Sequence, residues 1–291
     1  MPRRTFPGLA PLETLREAER GRLLPLPARL ARLYGPLRMP AAGTRPHVIT
    51  NFAATLDGVV SLNVEGHKSG GDISGFSAQD RMVMGLLRAV VDAVVIGSGT
   101  FVVDRKHLWT AEDIFPKLAS DYRALRAALG KRGPPLNAVV SGSGDLDLRL
   151  PMFASGRVPA LVVTTPAGER NLRKRRVPDT VRIRAVRTRG ETISARAVLN
   201  AVRAASGGKL ILVEGGPRLI ADFYAEGLLD EQFLTLSPQI AGRPIPDERI
   251  SLVMGRTFAP QHPLWGTLTD LRRSGSHLFL RYSFPGPGRR A

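Results

Sequence analysis

The stretch Val94-Val-Ile-Gly-Ser-Gly-Thr-Phe-Val-Val-Asp104 constrains this chain more than any other. Val91, Val94, Val95 and Ile96 are β-branched and favour a strand covered on both faces, the kind found in parallel sheets flanked by helices. The apolar run stops at Gly97 and Gly99. Without Cβ atoms there, a phosphate or a sugar can approach the backbone, and Thr100 adds a hydroxyl donor. A plain strand-to-loop turn would look the same in isolation, so the rest of the chain must decide.

A second stretch has the same form. In Lys209-Leu-Ile-Leu-Val-Glu-Gly-Gly-Pro-Arg-Leu-Ile-Ala-Asp222 a strand ends at Glu214, Gly215 and Gly216 make the turn, and Pro217 suits the first turn of a helix. Free N–H groups and the positive helix end at those glycines favour an anion, a pyrophosphate being the natural occupant. Upstream, Val48-Ile-Thr-Asn-Phe-Ala-Ala-Thr55 reads as a first strand, Leu56-Asp57-Gly58 as a tight turn and Val59-Val-Ser-Leu62 as a return strand. Gly66–Gly75 reads as a loop. Ser77 and Asp80 then cap a helix whose stripe is Met82, Val83, Leu86, Leu87 and Val90.

Further strands are expected at Asn137–Ser141, Ala160–Thr164 and Gln232–Ser237, with a hairpin over 266–284 turning at Ser274-Gly275. A helix passes through Tyr122, Leu125 and Leu129. The arginine-dense run Arg170–Arg189 reads as a surface strand with a solvated, charged face. Strands alternating with helices give an α/β fold built on a mixed, mostly parallel sheet. Residues 1–46, broken by prolines, form an extension packed on the domain or on a partner subunit, with an amphipathic helix carrying Leu12, Leu15, Leu23 and Leu24; 286–291 is expected to be a disordered tail.

Composition narrows the function classes. The 291 residues are 43% hydrophobic, with no run long enough to span a bilayer, and zero cysteines exclude disulfides, thiolate metal sites and thiol catalysis. Charged Glu13, Arg16, Glu17 and Glu19 stand where a signal peptide would be apolar, so cytoplasm is the expected compartment. A formal charge of +17 attracts anions of every kind, but with aromatics at 6% and no basic stretch interleaved with stacking rings, nucleic acid is not the expected partner.

Three ordered motifs resemble the reductase domain of bacterial riboflavin biosynthesis: Asn51-Phe-Ala-Ala-Thr-Leu-Asp-Gly58, Leu87-Arg-Ala with Asp92-Ala-Val-Val-Ile-Gly-Ser-Gly-Thr100, and Val213-Glu-Gly-Gly-Pro217. The resemblance covers about residues 47–285 and leaves out both the N-terminal extension and the zinc deaminase domain that often precedes the reductase. It implies a dihydrofolate-reductase-like fold, NADPH as cofactor, a small-molecule substrate and a homodimer. By position it places Gly97, Gly99, Thr100, Gly215, Gly216, Pro217, Arg218 and Leu219 at the dinucleotide, and Ser141, Ser143 and Thr164 near an adenosine 2′-phosphate. Asp104, Asp57 and Glu214 become catalytic candidates; Asn51, Asp57, Ser69 and Ser74 become substrate contacts. Asn51 stands where the family's pyrimidine reductases tend to have lysine, and Asp104-Arg-Lys-His replaces an aspartate-rich turn; both departures bear on the substrate and not on the cofactor.

The expected activity is hydride transfer from NADPH to a C=N or C=O bond of a small heterocyclic or ribosylated substrate, similar to 5-amino-6-(5-phosphoribosylamino)uracil reductase. A nicotinamide brings the hydride itself, so no triad or metal cluster is needed, and the proton is assigned to Asp104 or Asp57. His107 and Trp109, after Asp104, read as a surface group and as a pocket-mouth or core residue. The alternative is a catalytically silent basic binding protein of the same fold, taking nucleic acid or an acidic partner at Arg170–Arg189.

Overall fold

Each apolar run marked as a strand becomes one in the computed structural model, which describes residues 8–41, 43–188, 192–245 and 249–284. In chain order, β1 (Glu13–Arg16) and α1 (Ala28–Tyr34) precede β2 (His47–Ala54); α2 (Gly70–Ser74) and α3 (Ala78–Val90) lead to β3 (Ala93–Gly97). Next come α4 (Ser98–Val103), α5 (Ala119–Ala128), β4 (Leu136–Ser141), β5 (Ala160–Thr164), α6 (Pro166–Arg173) and β6 (Val181–Ala185). The chain continues through α7 (Ala195–Ser206), β7 (Leu210–Val213), α8 (Pro217–Ala225) and β8 (Glu231–Leu236) to the hairpin β9 (Thr267–Ser274) and β10 (His277–Ser283).

These strands form one 10-stranded sheet in the order β1-β9-β10-β8-β2-β7-β3-β4-β5-β6. From β8 to β6 every pairing is parallel, while β1, β9 and β10 add on antiparallel. The period-2 alternation of a strand sorts the side chains. Val94, Ile96, Val139, Val162 and Leu212 enter one apolar layer with α3 and α5; Ala93, Val95, Ala138, Val163 and Val213 enter another with α7 and α8. Burying each such aliphatic side chain stabilises by roughly 1.5–3 kcal/mol before chain entropy is counted. Where α3 crosses α5 the contact is close: a Cβ on Gly85 would lie 2.6 Å from the Tyr122 ring, and the Tyr122 hydroxyl donates to Met82 O at 3.0 Å.

Several expectations need correction. Leu12, Leu15, Leu23 and Leu24 are not on a helix: β1 pairs with β9, Arg22–Leu23 pairs with Arg38–Met39, and the helix of the extension is α1. Proline at 25 and 27 ends any helical run through Leu23 and Leu24 and places the helix start at Ala28. The extension packs on its own chain, burying Leu30, Leu33, Tyr34, Leu37 and Met39. The Gly66–Gly75 loop contains α2, and the loop expected after Gly97 begins as α4. Val59–Ser61 pairs not with β2 but with Ile250–Ser251. Arg170–Arg173 lie on α6, so only the later part of the arginine run is a strand, β6, with Arg182 and Arg184 outward; Arg189 and the 286–291 tail lie outside the described residues. No helix among the described residues is long and apolar enough to cross a membrane.

Candidate functional site

Parallel strands deliver their carboxyl ends to one edge, and there the two glycine stretches meet. Gly97 is in register with Val140, Ser141 with Thr164, and Val213 with both Thr50 and Val95. Gly97 N donates to Gly215 O at 2.7 Å and Glu214 N to Val95 O at 3.0 Å. The Gly215–Gly216 peptide is cis. A Cβ on Gly97 would sit 3.2 Å from Gly216 N, and one on Gly215, whose φ is +128°, would sit 3.0 Å from Thr100 Oγ1. Glycine is therefore required by the close approach of the two turns to each other. Gly99 is exposed, with nothing within 4 Å of its added Cβ. Pro217 opens α8, whose amino end faces this edge; Arg218 beside it is exposed, whereas Leu219 turns towards the apolar layer behind. The two turns form a backbone cradle beside the positive amino end of α8, a setting suited to a diphosphate.

Below the cradle lies a charged cluster centred on Arg88, in the last turn of α3. Arg88 is buried and grips Glu214, Nε to Oε1 at 2.9 Å and Nη2 to Oε2 at 2.6 Å; Nη1 donates to His107 Nε2 at 2.7 Å and to Thr110 O at 3.3 Å. Arg126, itself buried, braces the same helix end by donating to Ala89 O and Val91 O. Since Nε2 of His107 accepts, Nδ1 carries the proton and faces Asp113 Oδ2 at 3.2 Å. Burial first, then Arg88, lowers the His107 pKa to about 3, so the ring is neutral. His107 is thus part of the cluster and not the surface group expected. Trp109 is core, its ring 2% exposed and edge-on to His107.

Asp104 ends α4 beside this cluster. Its backbone makes a turn, with Asp104 N donating to Thr100 O and His107 N to Asp104 O, but its carboxylate has no hydrogen-bond partner among the described residues. The neighbouring Arg105 pairs with Asp147 instead. Burial pushes the Asp104 pKa up; Arg88 pulls against this and Glu214 adds to it. A half-buried, unpaired carboxyl with a raised pKa can store and release a proton.

The other acidic candidates differ. Asp57 Oδ1 accepts from the Thr55 hydroxyl and from Ala241 N, and Oδ2 from Gly242 N at 2.8 Å. The Thr55 bond leads these effects in holding its pKa to about 2, so Asp57 stays ionised and ties two loops together. It is a turn former and not a proton store. Glu214 is clamped by Arg88 in a buried ion pair.

Hydroxyls expected at an adenosine phosphate are largely committed. Thr164 is fully buried and donates to Ser141 O at 2.6 Å; Ser141 is buried and accepts from Gly144 N. Only Ser143 of the three stands exposed. On the substrate side, Ser74 is fully buried with its carbonyl accepting from His277 Nε2, and Ser69 is the cap of α2, in a reciprocal pair with Asp72. Asn51 is buried on the α3 side of β2, against Val83 and Phe233. The role of Arg88 is what sequence reasoning missed, although the residue stands in the Leu87-Arg-Ala motif as an arginine in an otherwise buried apolar stripe.

The model of the RibD C-terminal domain family matches residues 46–254, the span that supplies both glycine stretches and the Arg88 cluster. The chain belongs to the RibD C-terminal domain family. Among relatives of known activity, the 2,5-diamino-6-ribosylamino-4(3H)-pyrimidinone 5′-phosphate reductase of Archaeoglobus fulgidus is 28% identical over 203 residues, which is 69% of this chain and 85% of that one. Among solved structures, a pyrimidine reductase-like protein from Corynebacterium diphtheriae aligns with a TM-score of 0.62 at 21% identity, covering 82% of this chain and 92% of its own. The deaminase/5-amino-6-(5-phosphoribosylamino)uracil reductase of Thermotoga maritima aligns at 0.59 and 20% identity, over 83% of this chain; the match spans 57% of that longer, two-activity protein. The mixed, mostly parallel α/β fold expected of a family member is the one found.

Proposed function

We propose that this RibD C-terminal domain protein is an NADPH-dependent reductase that transfers a hydride to a C=N or C=O bond of a small heterocyclic or ribosylated substrate, of the kind the Archaeoglobus relative reduces. One observation carries the proposal: the Gly97 and Gly215–Gly216 turns converge beside the amino end of α8, at the sheet edge where α4 ends in the unpaired, half-buried Asp104.

The nicotinamide, when bound, supplies the hydride. The chain's own residues do the rest. The cradle and the amino end of α8 hold the diphosphate. Arg88 keeps Glu214 and the neutral His107 in fixed orientations, so the wall beside the reacting carbon is polar yet does not compete for protons. Asp104, kept protonated for longer than an exposed aspartate by burial, donates the proton that accompanies reduction.

The test is titration of the chain with NADPH and NADH, followed by nicotinamide fluorescence. Saturable binding of NADPH, tighter than that of NADH, is expected. Absence of binding by either dinucleotide would contradict the reductase reading.

A further inference from the structure

We propose that the outer edge of β6 is a docking surface for an acidic protein partner, which adds to the sheet as an extended segment alternating acidic and apolar residues. β6 is the last strand of the sheet, three places from β3, and its register with β5 runs from Val181 beside Ala160 to Ala185 beside Thr164. Just beyond it, Val186 N donates to Thr164 O at 2.8 Å. Successive residues of a parallel ladder turn their backbone groups to opposite sides. Arg182 and Arg184, which share the parity of Val186, therefore bond β5, while Ile183 and Ala185 present N–H and C=O to the outer edge. No further strand pairs there among the described residues.

The two faces of β6 differ in chemistry. Val181 is buried in the layer with α3 and α5 and Ile183 packs against that layer, so one face is apolar. The other face carries Arg182 and Arg184, both exposed and neither with a hydrogen-bond or ion-pair partner among the described residues. An incoming strand meets apolar and cationic positions in alternation. Cross-strand pairing selects its complement, an apolar side chain against Ile183 and carboxylates against Arg182 and Arg184. The surroundings add attraction at longer range. Residues 170–188 hold eight arginines and lysines against one acid, Asp179, and Arg170, Lys174, Arg176 and Arg187 are exposed and equally without partners among the described residues. A second copy of this chain is disfavoured as the occupant, because β6 against β6 sets arginine opposite arginine. Nucleic acid is disfavoured too, since residues 170–188 contain no aromatic ring on which a base could stack.

The experiment is fluorescence anisotropy of the full chain with four labelled probes: an alternating Glu-Val decapeptide, an alternating Lys-Val decapeptide, a polyglutamate of the same length, and an oligothymidylate. The wild type should bind the Glu-Val peptide saturably, about tenfold or more tightly than the polyglutamate, which carries more charge but no apolar face, and affinity should fall as salt is raised. The Lys-Val peptide should not bind. Two variants test the two halves of the surface. Arg182→Gln/Arg184→Gln removes the charge and should weaken Glu-Val binding about tenfold or more. Ala185→Pro removes one outward N–H and no bond to β5, a place where an edge strand tolerates proline, and should weaken it about fivefold. Circular dichroism checks both folds, and the comparison among probes on the wild type stands without either variant. The inference is overturned if the Glu-Val peptide does not bind, if polyglutamate or the Lys-Val peptide binds as tightly, if both folded variants keep wild-type affinity, or if the oligothymidylate binds more tightly, which would make the edge a nucleic-acid surface. None of these results bears on the reductase reading, which the dinucleotide titration tests.

Discussion

Asp104 and His107 lie one turn apart beside the same guanidinium, yet burial moves them in opposite directions. It favours the neutral form of each, which raises the pKa of the acid and lowers that of the base. Burial therefore favours a proton on Asp104 and disfavours one on the His107 ring. Asp104→Asn keeps the shape and removes the acid, so turnover should fall about a hundredfold or more with NADPH affinity intact. Near-normal turnover in a steady-state assay would reduce Asp104 to a turn former. For His107 the consequence is one of stability. Its folded pKa of about 3 lies below the ordinary 6.5, so between those values the unfolded chain takes up a proton that the folded one does not. Stability is complete above pH 6.5 and declines as pH falls, by at most about 1.4 kcal/mol per unit. His107→Gln keeps an acceptor for Arg88 without titrating; denaturant unfolding at pH 7 and pH 5 should show a loss smaller by roughly 1–2 kcal/mol than in the wild type. Parallel losses would mean that His107 titrates normally in the folded state.

At the scale of elements, the site is the junction of two strand-turn-helix units, β3 with α4 and β7 with α8. The two strand-to-glycine turns and the start of α8 at Pro217 were legible in the sequence, because a buried strand followed by glycines and a proline at a helix start has few other meanings. The helix in the turn after Gly97 was not legible, since Ser98-Gly-Thr has poor helix propensity and its conformation is set by tertiary contact: Phe101 packs on Phe153 at 5.1 Å between ring centroids. Nor was the role of Arg88, whose partner Glu214 is distant in sequence and near only because β7 inserts between β2 and β3. Gly216→Val bears on the junction directly. Its added Cβ meets Thr100 Oγ1 at 3.4 Å, an ordinary contact, so the fold tolerates the first carbon while the branched methyls intrude on the cradle. The variant should keep the melting profile of the wild type and lose NADPH quenching. A folded variant that still binds NADPH would remove the diphosphate from the start of α8.

At the scale of the whole molecule, the extension is continuous with the sheet. Arg272 on β9, fully buried, bonds Asp270 of its own strand and donates to Thr14 Oγ1 at 2.9 Å, to Tyr34 O and to Pro36 O. Gln79, at the start of α3, donates to Gly8 O. Proline-rich sequence concealed this, because pairing to a distant edge strand leaves no periodic signal in a segment of four residues such as β1. The extension thereby braces the helix that carries Arg88, and the whole chain positions one reaction. Incubation with NADPH deuterated at C4 and a ribosylaminopyrimidinone 5′-phosphate, read by mass spectrometry, tests that reaction most directly. The product should be one deuterium heavier at a carbon that was unsaturated in the substrate, with one NADPH oxidised per product formed. A chain that binds NADPH yet transfers no deuterium to this or any related C=N or C=O compound would contradict the account.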